Sequence, residues 1–198
     1  MMSKRACALL VAVSLIGLAL VAAPRLGAQA PGQTMPAPAS LAPYVPTPQD
    51  VVDRMLKLAE VTDKDLVYDL GCGDGRIVIT AAQKYGARGV GVDIDPARIS
   101  ESQAKAREAG VEKLVSFKLQ DAMTVDLSKA TVVTLYLLSA SNLKLRPLLT
   151  QQLAPGARIV SHAFNMGDWE PAKVEQYDDE HGIRRTLYLW KADGKVRE

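Results

Sequence analysis

The stretch Tyr68-Asp69-Leu70-Gly71-Cys72-Gly73-Asp74-Gly75-Arg76 constrains this chain more than any other. The apolar run that ends in Asp69 predicts a buried strand, and glycines at alternate positions predict a tight turn. Arg76-Ile77-Val78 then reads as a helix start. A strand, a glycine turn and a helix in that order open a nucleotide-type βαβ unit, which commits the chain to an α/β fold.

The acid narrows the ligand. A dinucleotide loop places Gly at the first, third and sixth positions, so that backbone N–H groups approach a pyrophosphate. Here the sixth position is Arg76, and Asp69 and Asp74 would set negative charge beside a negative ligand. S-adenosylmethionine has no phosphate and carries a cationic amino group and a sulfonium, which a carboxylate at a strand end favours. A second signal follows at Arg88-Gly-Val-Gly-Val-Asp93-Ile94-Asp95-Pro96, about twenty residues on, the spacing of a ribose-binding acid. Asp93 closes a second predicted strand and can accept both ribose hydroxyls. Asp95-Pro96 reads as a helix N-cap with Pro at N1. Gln120-Asp121-Ala122 closes a third strand, where Asp121 can accept from an adenine amino group. Another Rossmann-like enzyme, such as a dehydrogenase, is the competing reading, and the glycine spacing and acid placement count against it.

With Asp69-x-Gly71-x-Gly73-x-Gly75 and Asp93 in place, the chain resembles class I S-adenosylmethionine-dependent methyltransferases over roughly residues 44–191. That resemblance implies a Rossmann-like seven-strand methyltransferase sheet, α/β, mostly parallel with an antiparallel last strand and helices on both faces. It implies a cofactor site of Asp69, Gly71, Cys72, Gly73, Gly75, Asp93, Ile94, Asp121 and Ala122. Within it, Cys72 is expected to be a small packing residue.

The periodicity predicts helices opened by Thr47-Pro48, over about Arg76–Tyr85 and about Pro96–Ala109, and somewhere in 141–153, where Pro147 either starts or kinks the helix. Strands are predicted at about 66–70, 89–93, 114–119, 132–137 and 158–162, followed by a hairpin over 173–177 and 184–190. The chain of 198 residues is long enough for one sizeable core. Three of its 24 basic residues, Lys4, Arg5 and Arg25, precede residue 40, which leaves the remainder close to neutral against 22 acidic residues. No basic stripe stands out, so no nucleic-acid partner is expected. The two histidines, His162 and His181, have no Cys/His spacing around them, so no metal is expected.

The N-terminus reads differently. Lys4-Arg5 precede an apolar run from Ala6 to Ala23, which is the layout of a signal peptide or a marginal membrane anchor over 1–28. Ala28-Gln29-Ala30 resembles a cleavage site, although Pro31 disfavours that cut and a cut after Ala28 is the fallback. Residues 29–43 are rich in Pro, Ala, Gln and Ser and read as a linker to a domain at 44–198. Export or anchoring is expected, unless translation starts at Met35, in which case the domain is cytoplasmic.

Ligands of open α/β sheets sit outside the carboxyl ends of the strands. The reacting end is therefore expected after strands four and five, where Tyr44, Tyr136, His162 and Asp168 are the candidate catalytic residues. Tyr44 and Tyr136 would line a narrow channel and hold an amine by cation–π contact, with His162 or Asp168 accepting its proton. Pro43-Tyr44-Val45-Pro46-Thr47 would fold over the site. The same segment, followed by a helix and then Asp69–Val78, is similar to mitochondrial lysine methyltransferases that modify ATP synthase subunit c or the adenine nucleotide translocase, and to their bacterial relatives. That resemblance implies a protein-lysine acceptor, possible membrane association and a monomer. A small-molecule acceptor is the alternative.

Overall fold

The computed structural model describes residues 40–198. The expected signal segment, its cleavage sites, Met35 and most of the linker lie outside the described residues.

Seven strands, β1 (Leu66–Leu70), β2 (Arg88–Asp93), β3 (Val115–Leu119), β4 (Val132–Leu135), β5 (Arg158–His162), β6 (Lys173–Asp178) and β7 (Arg184–Lys191), form one sheet in the order β3-β2-β1-β4-β5-β7-β6. The first five run parallel, and β7 is antiparallel to both β5 and β6. The order reverses beside β1, where the chain crosses from β3 to β4. That switch point is where open α/β sheets leave a crevice.

Among the described residues four α-helices flank the sheet: α1 (Gln49–Leu58), α2 (Arg76–Tyr85), α3 (Pro96–Glu108) and α4 (Ser139–Gln152). Successive strand residues point to opposite faces, so each central strand feeds two cores. Val67, Val132 and Val160 join α1 and α2 in one core, while Tyr68, Leu70, Val133 and Leu135 join Leu145 and Leu149 of α4 in the other. Strands covered on both sides need continuous apolar sequence, and β4 is buried at all four positions. The edge strands β3 and β6 are largely exposed, and β6 is mostly polar. At the amino ends, buried Asp65 ties three strands together by pairing with Arg158 and accepting from Thr131 Oγ1 at 2.7 Å.

Several boundaries differ from the sequence reading. Pro48, not Thr47, occupies the N-cap of α1, and its carbonyl accepts from Val52 N at 3.0 Å. No side chain caps that helix. The strand predicted over 132–137 ends at Leu135, which frees Tyr136 and Leu137 from the sheet. Pro147 lies inside α4 and does not start it.

Candidate functional site

The glycine turn is locked to β2. Gly71 N and Cys72 N both donate to Val92 O, at 2.8 and 2.9 Å. Gly73 N donates to Asp93 Oδ2 at 2.9 Å, while Asp93 Oδ1 accepts from Asp95 N at 3.0 Å. Each carboxylate oxygen has two acceptor positions, so Asp93 holds the loop and keeps capacity for further donors. Gly73 adopts φ +52°, and a Cβ there would lie 2.5 Å from the Tyr44 ring. Only a residue without a side chain lets Tyr44 approach so closely.

A cavity of about 450 Å³ opens over this turn, within the range of small-molecule sites. Its walls include Asp69, Gly71, Cys72, Gly73, Asp93, Ile94, Asp121, Ala122, Tyr44 and Tyr136. Eight of the nine residues expected to hold a cofactor therefore come together. Gly75 does not join them. It caps α2 in the left-handed region at φ +77°, and a Cβ there would strike Phe117 and Ser102, so its role is in packing. Residues 40–43, read as the end of the linker, also line the cavity, and Ser141 Oγ donates to Leu41 O.

The electrostatics are anionic and graded. Asp69 is buried, with Oδ1 accepting from Thr134 Oγ1 at 2.8 Å. Burial, helped by the charges of Asp93 and Asp74 and opposed by the Thr134 bond, pushes its carboxyl up to about 7. Asp74 behaves in the opposite way. Burial raises it, but bonds from Arg76 and Lys105 win and hold it at about 2. Arg76 and Lys105 offset its charge, which still adds to the anionic field at Asp69. Burial and the charges of Asp69 and Asp93 raise the Cys72 thiol, which remains a packing group against β2. Asp121 caps a short 3-10 turn, Ala122–Thr124, through Met123 N at 2.9 Å.

The donor set suits a ligand with a cationic end and hydroxyls. Carboxylates close three adjacent strands. Both arginines that line the cavity are already paired, Arg76 with Asp74 and Arg98 with Glu101. No lining cation among the described residues is left over for a phosphate.

At the far end, Tyr136 leans on His162 with ring centroids 4.1 Å apart, and Phe164 stacks at 6.4 Å. Tyr44 carries the Arg98 guanidinium 4.6 Å above its ring. His162 is 1% exposed and lies behind Tyr136, not on the cavity wall. Burial and Arg185 lower its pKa to about 4, with Asp50 opposing, so its ring is neutral at neutral pH. Asp168 is the clearest correction. Its side chain is 90% exposed, paired with Arg146, in a separate groove with Trp169 and Arg197. The length of chain after β5 carries it past the site.

Sequence reasoning missed two features here. Thr134 is a hydroxyl in an otherwise apolar buried strand, which is a readable signal. Ala163 has φ +66°, with Phe164 N donating to His162 O at 2.9 Å, a strained γ-turn that nothing about an alanine announces.

Comparison with known proteins gives a consistent result. The family model for the ANTKMT methyltransferase domain matches residues 69–173. A protein-lysine N-methyltransferase of Saccharolobus islandicus is 46% identical over 149 residues, 75% of this chain and 92% of that one. The adenine nucleotide translocase lysine N-methyltransferase of Mus musculus is 31% identical, over 67% of this chain and 57% of its own length. The crystal structure of an RNA methyltransferase from Salinibacter ruber in complex with S-adenosyl-L-homocysteine superposes with a TM-score of 0.73 at 51% identity, covering 78% of this chain and 97% of that one.

Proposed function

The chain belongs to the ANTKMT methyltransferase domain family and is an S-adenosylmethionine-dependent methyltransferase, and from that premise we propose that its acceptor is the side-chain amine of a protein lysine. The observation that carries the proposal is the 46% identical relative, matched over 92% of its length and named for that reaction.

The geometry supports a division of roles. The bound cofactor supplies a methyl group already activated on a sulfonium, so the chain's task is mainly positioning. Asp69 takes the cationic amino end. Asp93 takes the ribose hydroxyls with its remaining acceptor positions. Asp121 takes an adenine N–H, and Ile94 and Ala122 flank the base. Tyr44 and Tyr136 both line the cavity, and the Tyr136 ring would hold the amine by cation–π contact while desolvation favours its neutral, nucleophilic form. His162 braces Tyr136 from behind. Asp168 has no part in the transfer.

The crystal structure named as an RNA methyltransferase motivates a second reading, in which the acceptor is RNA. Phosphate contacts dominate affinity for nucleic acid and need free cations. The arginines at this cavity are committed to carboxylates, which favours the lysine reading. The leader read in residues 1–28 supports an acceptor at or beyond a membrane, and sequencing the mature N-terminus distinguishes it from a start at Met35.

Purified protein with methyl-labelled cofactor, offered to fractionated lysate and membranes, tests the proposal. Nuclease-resistant label on lysine side chains of protein is expected. Label confined to low-mass products, or removed by ribonuclease, contradicts it.

A further inference from the structure

Thr134 has no assigned role, yet it is the hydrogen-bonding side chain nearest the deepest acid of the site. β1 and β4 pair in parallel with Asp69 opposite Thr134, so both side chains leave the sheet on the same face. On the other side, Asp69 stands opposite Gly91, which has no side chain to offer. Thr134 is fully buried, and the rest of β4, Val132, Val133 and Leu135, is apolar. Its Oγ1 lies 2.8 Å from Asp69 Oδ1 and 3.4 Å from Tyr68 O, so its single proton goes to the carboxylate.

We propose that Thr134 is a positioning residue for the cofactor's amino end, orienting the Asp69 carboxylate beneath the glycine turn. The inference rests on Asp69 being the acid that meets that amino group. A valine at position 134 would fill the same space and pack like its neighbours, so packing alone does not call for a hydroxyl. The other groups facing Asp69 do not stabilise its charge. Asp93 at the end of β2 and Asp74 in the turn raise its pKa, while the Thr134 hydrogen bond lowers it. Asp74 is already matched by Arg76 and Lys105, and Cys72 in the turn is held as a neutral thiol by burial and the neighbouring carboxylates.

The consequence is a pH signature. Only ionised Asp69 attracts a cationic amine, so affinity falls on the acid side with a midpoint set by Asp69. Losing the hydroxyl moves that midpoint upward. The alkaline limb, set by the ligand's own amino group, stays in place.

S-adenosylhomocysteine binding by calorimetry across pH 5.5–9 provides the test, because that ligand keeps the amino group. Thr134→Val is expected to weaken binding about tenfold at pH 7 and to raise the acid midpoint by about one unit. Thr134→Ser is expected to restore both to within about threefold and a few tenths of a unit, since it returns the hydroxyl. Melting temperature confirms that each variant is folded. An unmoved midpoint in Thr134→Val, a loss equal at every pH, or failure of Thr134→Ser to rescue would overturn the proposal. A wild-type protein that binds no S-adenosylhomocysteine would instead refute the cofactor site on which it rests.

Discussion

At the ends of β1, β2 and β3 each carboxylate meets a donor from the chain itself: Thr134 at Asp69, Gly73 and Asp95 at Asp93, Met123 at Asp121. Around the ends of β4 and β5 the chain leaves polar atoms without a partner. Asn142 Oδ1 and His162 Nδ1 are buried and without a hydrogen-bond partner among the described residues, as are Arg146 Nε and Tyr177 Oη elsewhere, and Ala163 is held in a strained turn beside His162. Buried polar groups cost free energy unless they are satisfied, and strain of this kind concentrates where a structure performs work. The cofactor end of the cavity and the layer behind Tyr136 therefore differ in completeness. The cofactor end is organised in advance by short-range bonds. Around Tyr136 the layer is aromatic, with His162 and Phe164 against its ring, and the backbone bends at Ala163. A site that uses one cofactor repeatedly but must admit a large acceptor is served by that difference.

Substitutions can break the comparison. The largest effect is expected at Asp93. Asp93→Asn places an amide where an oxygen now accepts from the backbone and where ribose hydroxyls would bond. S-adenosylhomocysteine affinity should fall about a hundred- to a thousandfold by calorimetry. An affinity within a few-fold of wild type would remove Asp93 from the scheme.

Asp69 should show stability and function in opposition. Its folded pKa, about 7, lies above the unfolded value, so the native state holds more protons between about pH 4 and 7 and loses stability as pH rises through that window. Asp69→Asn keeps an acceptor for Thr134 and never ionises. At pH 8 the ligand-free variant should be more stable than wild type by about 2–4 kcal/mol in denaturant titration, while binding the cofactor far more weakly. A variant less stable than wild type would mean that Asp69 is structural.

His162 has the opposite sign. Its folded pKa, about 4, is below the unfolded value of 6.5, so stability is full above about pH 6.5 and is lost as pH falls towards 4. The loss should reach about 3 kcal/mol, and His162→Phe should flatten that part of the profile. An unchanged acid profile in His162→Phe would show that the imidazole is charged or solvated in the fold. The smallest effect is expected at Asp168. Asp168→Asn, on the far groove, should leave methyl transfer within about twofold, as exposed ion pairs contribute little. A tenfold loss of transfer would return it to the site.

The same contrast governs what is legible in the sequence. The three acids can be placed because each closes an apolar strand, and a strand's carboxyl end faces the crevice whatever surrounds it. Strands β1 and β5 and helix α2 match their expected spans, since Gly75 and Gly86 punctuate the helix, Asp65 and Gly71 flank β1, and β5 begins and ends on the polar residues Arg158 and His162. Tyr136 reads as part of the sheet because Val132 to Leu138 is largely apolar, and apolar continuity does not say where hydrogen bonding stops. Asp168 reads as part of the site by its nearness in sequence to β5. The chain turns at Ala163 and Gly167 before reaching it, and the Arg146 pair fixes it elsewhere. The role of Thr134 is hidden because its meaning depends on strand register, which places it opposite an aspartate 65 residues away in sequence.

The most direct test of the division between the two ends is one paired measurement on Tyr136→Ala. S-adenosylhomocysteine affinity and transfer of labelled methyl groups to protein lysine would be read on the same preparation. Affinity within about threefold of wild type, with transfer reduced at least about tenfold, is the predicted result. Affinity lost in parallel with transfer, or transfer retained, would contradict it.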